Sequence, residues 1–140
     1  MKVMKSLLFD EISVGDSAEF SRQITEQDVR DFARLSGDTN PLHVDSAYAS
    51  TTQFKKCVVH GMLAASLFSQ FVGVHLPGKY CLYLSQNIVF RHPLFAGDMI
   101  KVRGRAVQKS ESTHIIELEL EAVVNGVVVA DGTARVKVLK

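Results

Sequence analysis

Tryptophan is absent from the 140 residues, proline occurs three times and cysteine only twice. Two isolated cysteines, Cys57 and Cys81, cannot build a disulfide framework and lack the paired spacing of a zinc site. They are expected to stay reduced, which points to the cytoplasm. An excess of one charge is missing as well. With 16 basic and 15 acidic side chains the net charge is +1, and no long basic block occurs. A nucleic-acid partner therefore has no electrostatic footprint. The apolar run after Lys2 and Lys5 is only Leu7-Leu8-Phe9, too short for a signal-peptide core, and no stretch approaches a membrane span. Repeats, linkers and low-complexity segments are lacking too. What is left is a globular chain, 46% hydrophobic, read as one domain over residues 1–140 with enough material for a core.

Most of the polar chemistry is concentrated in residues 37–45, G-D-T-N-P-L-H-V-D. Asp38 and His43 are five apart, too far for one helical turn and out of phase with a strand. Only a folded loop makes them converge. A carboxylate and an imidazole brought together in this way can hold one water between an acceptor and a group that titrates near neutrality. The same residue types also build ordinary turns, each for its own backbone reason, and composition alone leaves both readings standing.

Around this loop the elements follow from period and caps. Residues 1–15 read as a leading arm that ends in a Val14-Gly15-Asp16 turn, and residues 17–24 as a first strand. Thr25 is an N-cap with Asp28 completing a capping box. Val29, Phe32, Ala33 and Ser36 recur at helical spacing, and Gly37 is placed to end that helix. Asp45 or Ser46 caps a second short helix through Ala49. Residues 58–76 then leave almost no polar face, so a nineteen-residue helix buried on most sides is expected there, stopped by Leu76-Pro77-Gly78-Lys79. From Tyr80 the period becomes two. Residues 80–91, 99–109, 113–124 and 127–138 read as four consecutive strands of an antiparallel meander, the last two joined by Asn125-Gly126. The first strand can add a fifth. The fold class is α+β, an antiparallel sheet curled round one buried helix.

With Asp38, Asn40 and His43 at D-x-N-x-x-H spacing, and with His60-Gly61-Met62 opening the apolar segment, the sequence resembles the (R)-specific enoyl-CoA hydratases. These form the MaoC-like family of the hot-dog fold. The likeness runs from about Phe32 to the C-terminus. Residues 60–69 and Leu76-Pro77-Gly78-Lys79 are similar to short-chain members used in polyhydroxyalkanoate supply. The resemblance implies reversible, (R)-specific hydration of short to medium trans-2-enoyl-CoA, a hydro-lyase reaction of fatty acid metabolism. It implies that Asp38 and His43 hold and activate the water, with both assignments of base and acid open. Asn40 would support the loop. Gly61 would offer its backbone N–H, at a helix N-terminus, to the charge developing on the thioester oxygen. Ser69 and Val72 would line the acyl pocket. Coenzyme A is part of the substrate, and neither a separate cofactor nor a metal is expected, since His75, His92 and His114 show no ligand spacing. A lone hot-dog sheet exposes an edge strand and an apolar surface, so a homodimer is expected, with further assembly open.

A serine nucleophile has no G-x-S-x-G elbow, and Ser66 and Ser69 lie within the apolar segment. A hot-dog thioesterase uses a carboxylate and a helix N-terminus, but the histidine after Asp38 favours hydration, which needs both proton removal and delivery. A non-catalytic acyl-CoA-binding module would need an output, and no helix-turn-helix or basic tail is seen. His60 reads as a structural histidine bonded to backbone where the buried helix starts. Lys55, Lys56, Arg91 and Lys101 are the cations available to coenzyme A phosphates, although scattered lysines and arginines are usually only solvated.

Overall fold

The computed structural model describes residues 4–140; residues 1–3 of the expected arm, including Lys2, lie outside them. Ser17–Gln23 forms β1 and Glu26–Ser36 forms α1. The capping box between them is formed: the Thr25 hydroxyl accepts from the Asp28 N–H, and the Asp28 carboxylate accepts from the Thr25 N–H. That backbone hydrogen bond, aided by the Arg22 guanidinium, holds the Asp28 carboxyl below its usual range. At the far end Gly37 takes φ 77° and its N–H donates to the Ala33 carbonyl, a left-handed stop that glycine adopts without steric cost.

Two single turns follow, α2 over Pro41–Val44 and α3 over Ser46–Ser50. Pro41 bars a helix from running on through the loop. It occupies the first position of α2, where its missing N–H is not needed. The Asn40 side chain caps α2 by accepting from the Leu42 N–H, and Asp45 caps α3.

The buried helix is shorter than expected. α4 runs Gly61–Gln70, and Phe71–His75 adds one π-helical turn. Residues 58–60 stay outside it because the N–H groups of Val58 and Val59 donate to the carbonyls of Leu42 and Leu94. Their apolar composition suits either conformation, and tertiary pairing decides. Nor is α4 buried all round. Leu63, Leu67, Phe68, Phe71 and Val72 face the core, whereas Met62 is 61% exposed and Ser66 and Ser69 face outward.

The remaining strands are β2 (Cys81–Gln86), β3 (Val89–Phe90), β4 (Met99–Ser110), β5 (Ile115–Val124) and β6 (Val127–Val138). All pairs are antiparallel, in the order β1-β4-β5-β6-β2, with β3 also on β6. This corrects the expected four-strand meander. Only β4, β5 and β6 form one, and residues 93–98 carry the chain from the β6 side of the sheet to the β4 side instead of closing a hairpin. The Asn125-Gly126 turn is as expected, with both residues at positive φ (49° and 77°) between paired Val124 and Val127.

Alternation along β5 sends Ile116, Leu118, Leu120 and Ala122 to the concave face. There they meet α4 and the π-turn. A Cβ on Gly104 of β4 would fall 2.5 Å from Leu120 Cδ2 and 2.8 Å from Phe71 Cζ, so glycine is what lets the ring approach the sheet. The convex face carries Arg103–Glu121 and Arg105–Glu119 pairs instead. Phe9 and Ile12 are buried, which makes the arm's end part of the core. The result is a curved sheet wrapped round a central helix, the hot-dog architecture. Among the described residues no helix is long and apolar enough to cross a membrane.

Candidate active site

The stop at Gly37 aims the chain back toward the start of α4, and two backbone contacts set the site there. His43 Nδ1 lies 2.6 Å from the Val58 carbonyl oxygen. A carbonyl can only accept, so Nδ1 carries the hydrogen, and in the neutral imidazole Nε2 presents its lone pair. That lone pair faces Asp38 Oδ2 at 3.9 Å, with the His43 side chain 15% and the Asp38 side chain 50% exposed. The span is too long for a direct hydrogen bond. A water oxygen about 2.8 Å from each atom fits it, donating one O–H to the imidazole and the other to the carboxylate. Its two lone pairs then point away from both, free to attack carbon.

Asp38 is itself fixed. Its N–H donates to Ser36 Oγ and its Oδ1 accepts from the Asn40 N–H. From beneath, His60 Nε2–H donates to the Asp38 carbonyl at 2.9 Å. His60 is 2% exposed and stacks on His43 with ring centroids 3.9 Å apart, while Phe32 packs edge-on against it at 4.9 Å. The expected backbone-bonded histidine is thus found, but its contact is with the Asp38 loop. His60 Nδ1 is buried with no hydrogen-bond partner among the described residues.

Asp38, His43 and His60 are the one group among the described residues whose candidate metal-ligand atoms gather within 4.8 Å. Their geometry does not converge on an ion. Imidazole lone pairs lie in the ring plane, and two rings stacked at 3.9 Å and 26° keep theirs in separate, nearly parallel planes. Each ring also already spends one nitrogen on a backbone carbonyl.

Gly61 opens α4 beside this pair. The N–H groups of Leu63 and Ala64 both donate to the His60 carbonyl, so Gly61 and Met62 are the first-turn donors without an intrahelical partner. A Cβ on Gly61 would sit 3.1 Å from the Phe90 ring. Two cavities meet at His43, Val58 and Val59. One, of about 400 Å³, is walled by Gly61, Ala64, Phe90, Leu94 and Val129. The other, of about 410 Å³, carries Arg30, Lys55 and Lys56 at its polar edge and Val29 and Phe95 on its floor. Ser69 and Val72 line neither: Ser69 faces outward from α4, and Val72 is fully buried in the core.

Nucleophilic rivals find no support in this geometry. The Ser66 hydroxyl is exposed and donates back to the Leu63 carbonyl at 2.6 Å. Burial, then the charges of Asp45 and Glu26, push the Cys57 thiol up, so it is not a thiolate at neutral pH. The Val58 carbonyl and Phe90 were not singled out from the sequence. Neither carries a signal of its own there, because one acts through backbone and the other belongs to a two-residue strand.

The sequence profile described as "MaoC like domain" matches residues 11–128. The chain is 41% identical over 115 residues to an (R)-specific enoyl-CoA hydratase of Aeromonas caviae, covering 82% of this chain and 86% of that one. It is 37% identical over 130 residues to an (R)-specific enoyl-CoA hydratase of Rhodospirillum rubrum, covering 93% and 90%. The unliganded crystal structure of an R-hydratase from Pseudomonas aeruginosa superposes with a TM-score of 0.93 at 36% identity, covering 98% of this chain and 88% of that one.

Proposed function

The chain belongs to the MaoC-like domain family, and from that premise we propose that it is a hydro-lyase. It hydrates trans-2-enoyl-CoA to (R)-3-hydroxyacyl-CoA, reversibly. The observation that carries this reading is the 3.9 Å gap between Asp38 Oδ2 and His43 Nε2, beside the N-terminus of α4. A water held by both groups adds its oxygen to C3 as the pair takes up one proton. Electron density moves through the alkene to the thioester oxygen, where the Gly61 N–H and the α4 dipole stabilise it; one such donor is worth about 3 kcal/mol of barrier. A proton returned to C2 from the same face completes syn addition, so that the sum is one water across one double bond. Coenzyme A enters as part of the substrate, and no separate cofactor is proposed. Reduced cysteines suit a cytoplasmic enzyme.

Short to medium acyl chains, and a place in polyhydroxyalkanoate supply, are the finer part of this proposal. The apolar cavity beyond Gly61 would take the first acyl carbons. Ser69, facing outward, would meet the chain only across an interface with a second copy. That interface is proposed over the β2–β3 edge, where Leu82, Leu84, Val89 and Phe90 are each about half exposed. Light scattering during size exclusion is expected to give twice the 15.5 kDa of one chain. A stable 15.5 kDa species would remove the homodimer.

The direct test follows the ultraviolet absorbance of crotonyl-CoA with a free-thiol assay on the same sample. Loss of the enoyl band without thiol release is the expected result. Thiol release would make the protein a thioesterase, and silence in both channels with calorimetric acyl-CoA binding would make it a binding module.

A further inference from the structure

The two cavities that meet at His43 differ in kind, and the difference assigns an orientation to the substrate. On the Gly61 side, where His43 and His92 also line the wall, the one arginine or lysine, Arg91, is committed to Asp131 of β6 through paired hydrogen bonds. Lys101, on β4, lines neither cavity. Of the four cations considered from the sequence, only Lys55 and Lys56 stand at the reacting centre's other cavity, with Arg30 across from them. Both lysines are exposed, and among the described residues neither has a carboxylate within ion-pair distance. The one acid in the lining, Glu26, is met by Arg30 at 4.0 Å. Lys55 is also held in an unusual way. It takes φ 65° at the end of the turn after α3, its N–H donating to the Thr52 carbonyl. The Lys56 ammonium rests over the Phe95 ring at 4.3 Å.

We propose that this groove binds the nucleotide phosphates of coenzyme A at Lys55 and Lys56, with the pantetheine arm lying over its apolar floor toward His43. The inference rests on the hydratase reading above and adds which end of the substrate lies where. Three cations against one carboxylate in a concave site select a polyanion, and ammonium groups are suited to phosphate as point charges. The groove's volume of about 410 Å³ is that of a small-molecule site. An acidic carrier protein would need a broad, open surface instead.

The test uses the full chain carrying Lys55→Asn together with Lys56→Gln, of which asparagine tolerates the positive φ. Hydration is measured on crotonyl-CoA, crotonyl-3′-dephospho-CoA and crotonyl-pantetheine. The expected result is a rise of about tenfold in KM for crotonyl-CoA, a smaller rise for the dephosphorylated thioester and none for crotonyl-pantetheine, with kcat unchanged throughout. The salt dependence of the crotonyl-CoA KM should flatten in the double variant. An unchanged KM for crotonyl-CoA, or an equal change on all three substrates, overturns the proposal. If the wild-type protein hydrates none of the thioesters, the hydratase reading fails by itself. Calorimetry of butyryl-CoA against butyryl-pantetheine then decides the groove: a preference for the phosphorylated ligand that the double variant abolishes supports it, and equal affinities overturn it.

Discussion

Asp38→Asn is expected to lower kcat for crotonyl-CoA hydration by about 10²–10⁴-fold, the range that a positioned acid–base group contributes. The substitution keeps the shape of the side chain, and its carbonyl oxygen can still accept from the Asn40 N–H as Asp38 Oδ1 does. What is lost is the negative charge and a proton acceptor facing His43. Because half of the side chain is exposed, the cost in stability should stay within about 0.5 kcal/mol, so thermal melting serves as the control. His43→Gln should fall by a similar factor. It also loses the stack on His60 and the bond to the Val58 carbonyl, at about 1 kcal/mol of stability. The double variant should be hardly worse than either single one, since two groups holding one water act as a unit. Near wild-type turnover in Asp38→Asn, with melting unchanged, would remove the water-activating assignment.

His60→Phe should move activity and stability in opposite directions. A phenyl ring retains the stack on His43 and the edge contact with Phe32. It removes the N–H that holds the Asp38 carbonyl and also the buried Nδ1 that has no partner. An unsatisfied buried acceptor costs about 1–3 kcal/mol, so melting should hold or rise. The Asp38 carbonyl, on an exposed loop, can turn to water. With its tether gone the loop no longer keeps the carboxylate to a fraction of an ångström, and a displacement of about 1 Å is enough for a 10²-fold loss. We expect kcat to fall by about 10–10² with little change in KM. Equal kcat in the variant would reduce His60 to a packing residue.

How far the sequence reaches is clearest at these same residues. The capping box at Thr25 and Asp28, the stop at Gly37 and the turn at Asn125-Gly126 are local devices, complete within a few residues, and each is found where its chemistry puts it. The meeting of Asp38 and His43 was legible for a related reason: a stop, a proline and two caps leave a short loop few ways to fold. The place of β2 beside β6 was not legible. Period-two alternation shows that a segment is a strand but carries no label for its partner, and β2 and β6 are joined only after three intervening strands. The start of α4 was hidden likewise, because Val58 and Val59 suit a helix as well as an extended segment until the carbonyls of Leu42 and Leu94 take their N–H groups. The roles of Gly61, Ser69 and Val72 came from family likeness, and burial now separates them: Gly61 at the cavity wall, Ser69 outward, Val72 within the core.

Val58 has one more effect on the molecule. Its N–H is bonded to Leu42 and its carbonyl to His43, so a single residue clasps the chain through both of its backbone polar groups. Everything between, residues 44–57, is a detour whose two ends are pinned together. Lengthening such a detour adds closure entropy only slowly, about 0.6 kcal/mol per doubling, and the clasp shields the reacting groups from whatever the detour does. The lysines that face the groove lie on this detour, and the imidazole lies on the clasp. Insertions, deletions and charge changes in residues 44–57 can therefore accumulate over generations, retuning which thioester is welcomed while the chemistry behind the clasp is inherited unaltered.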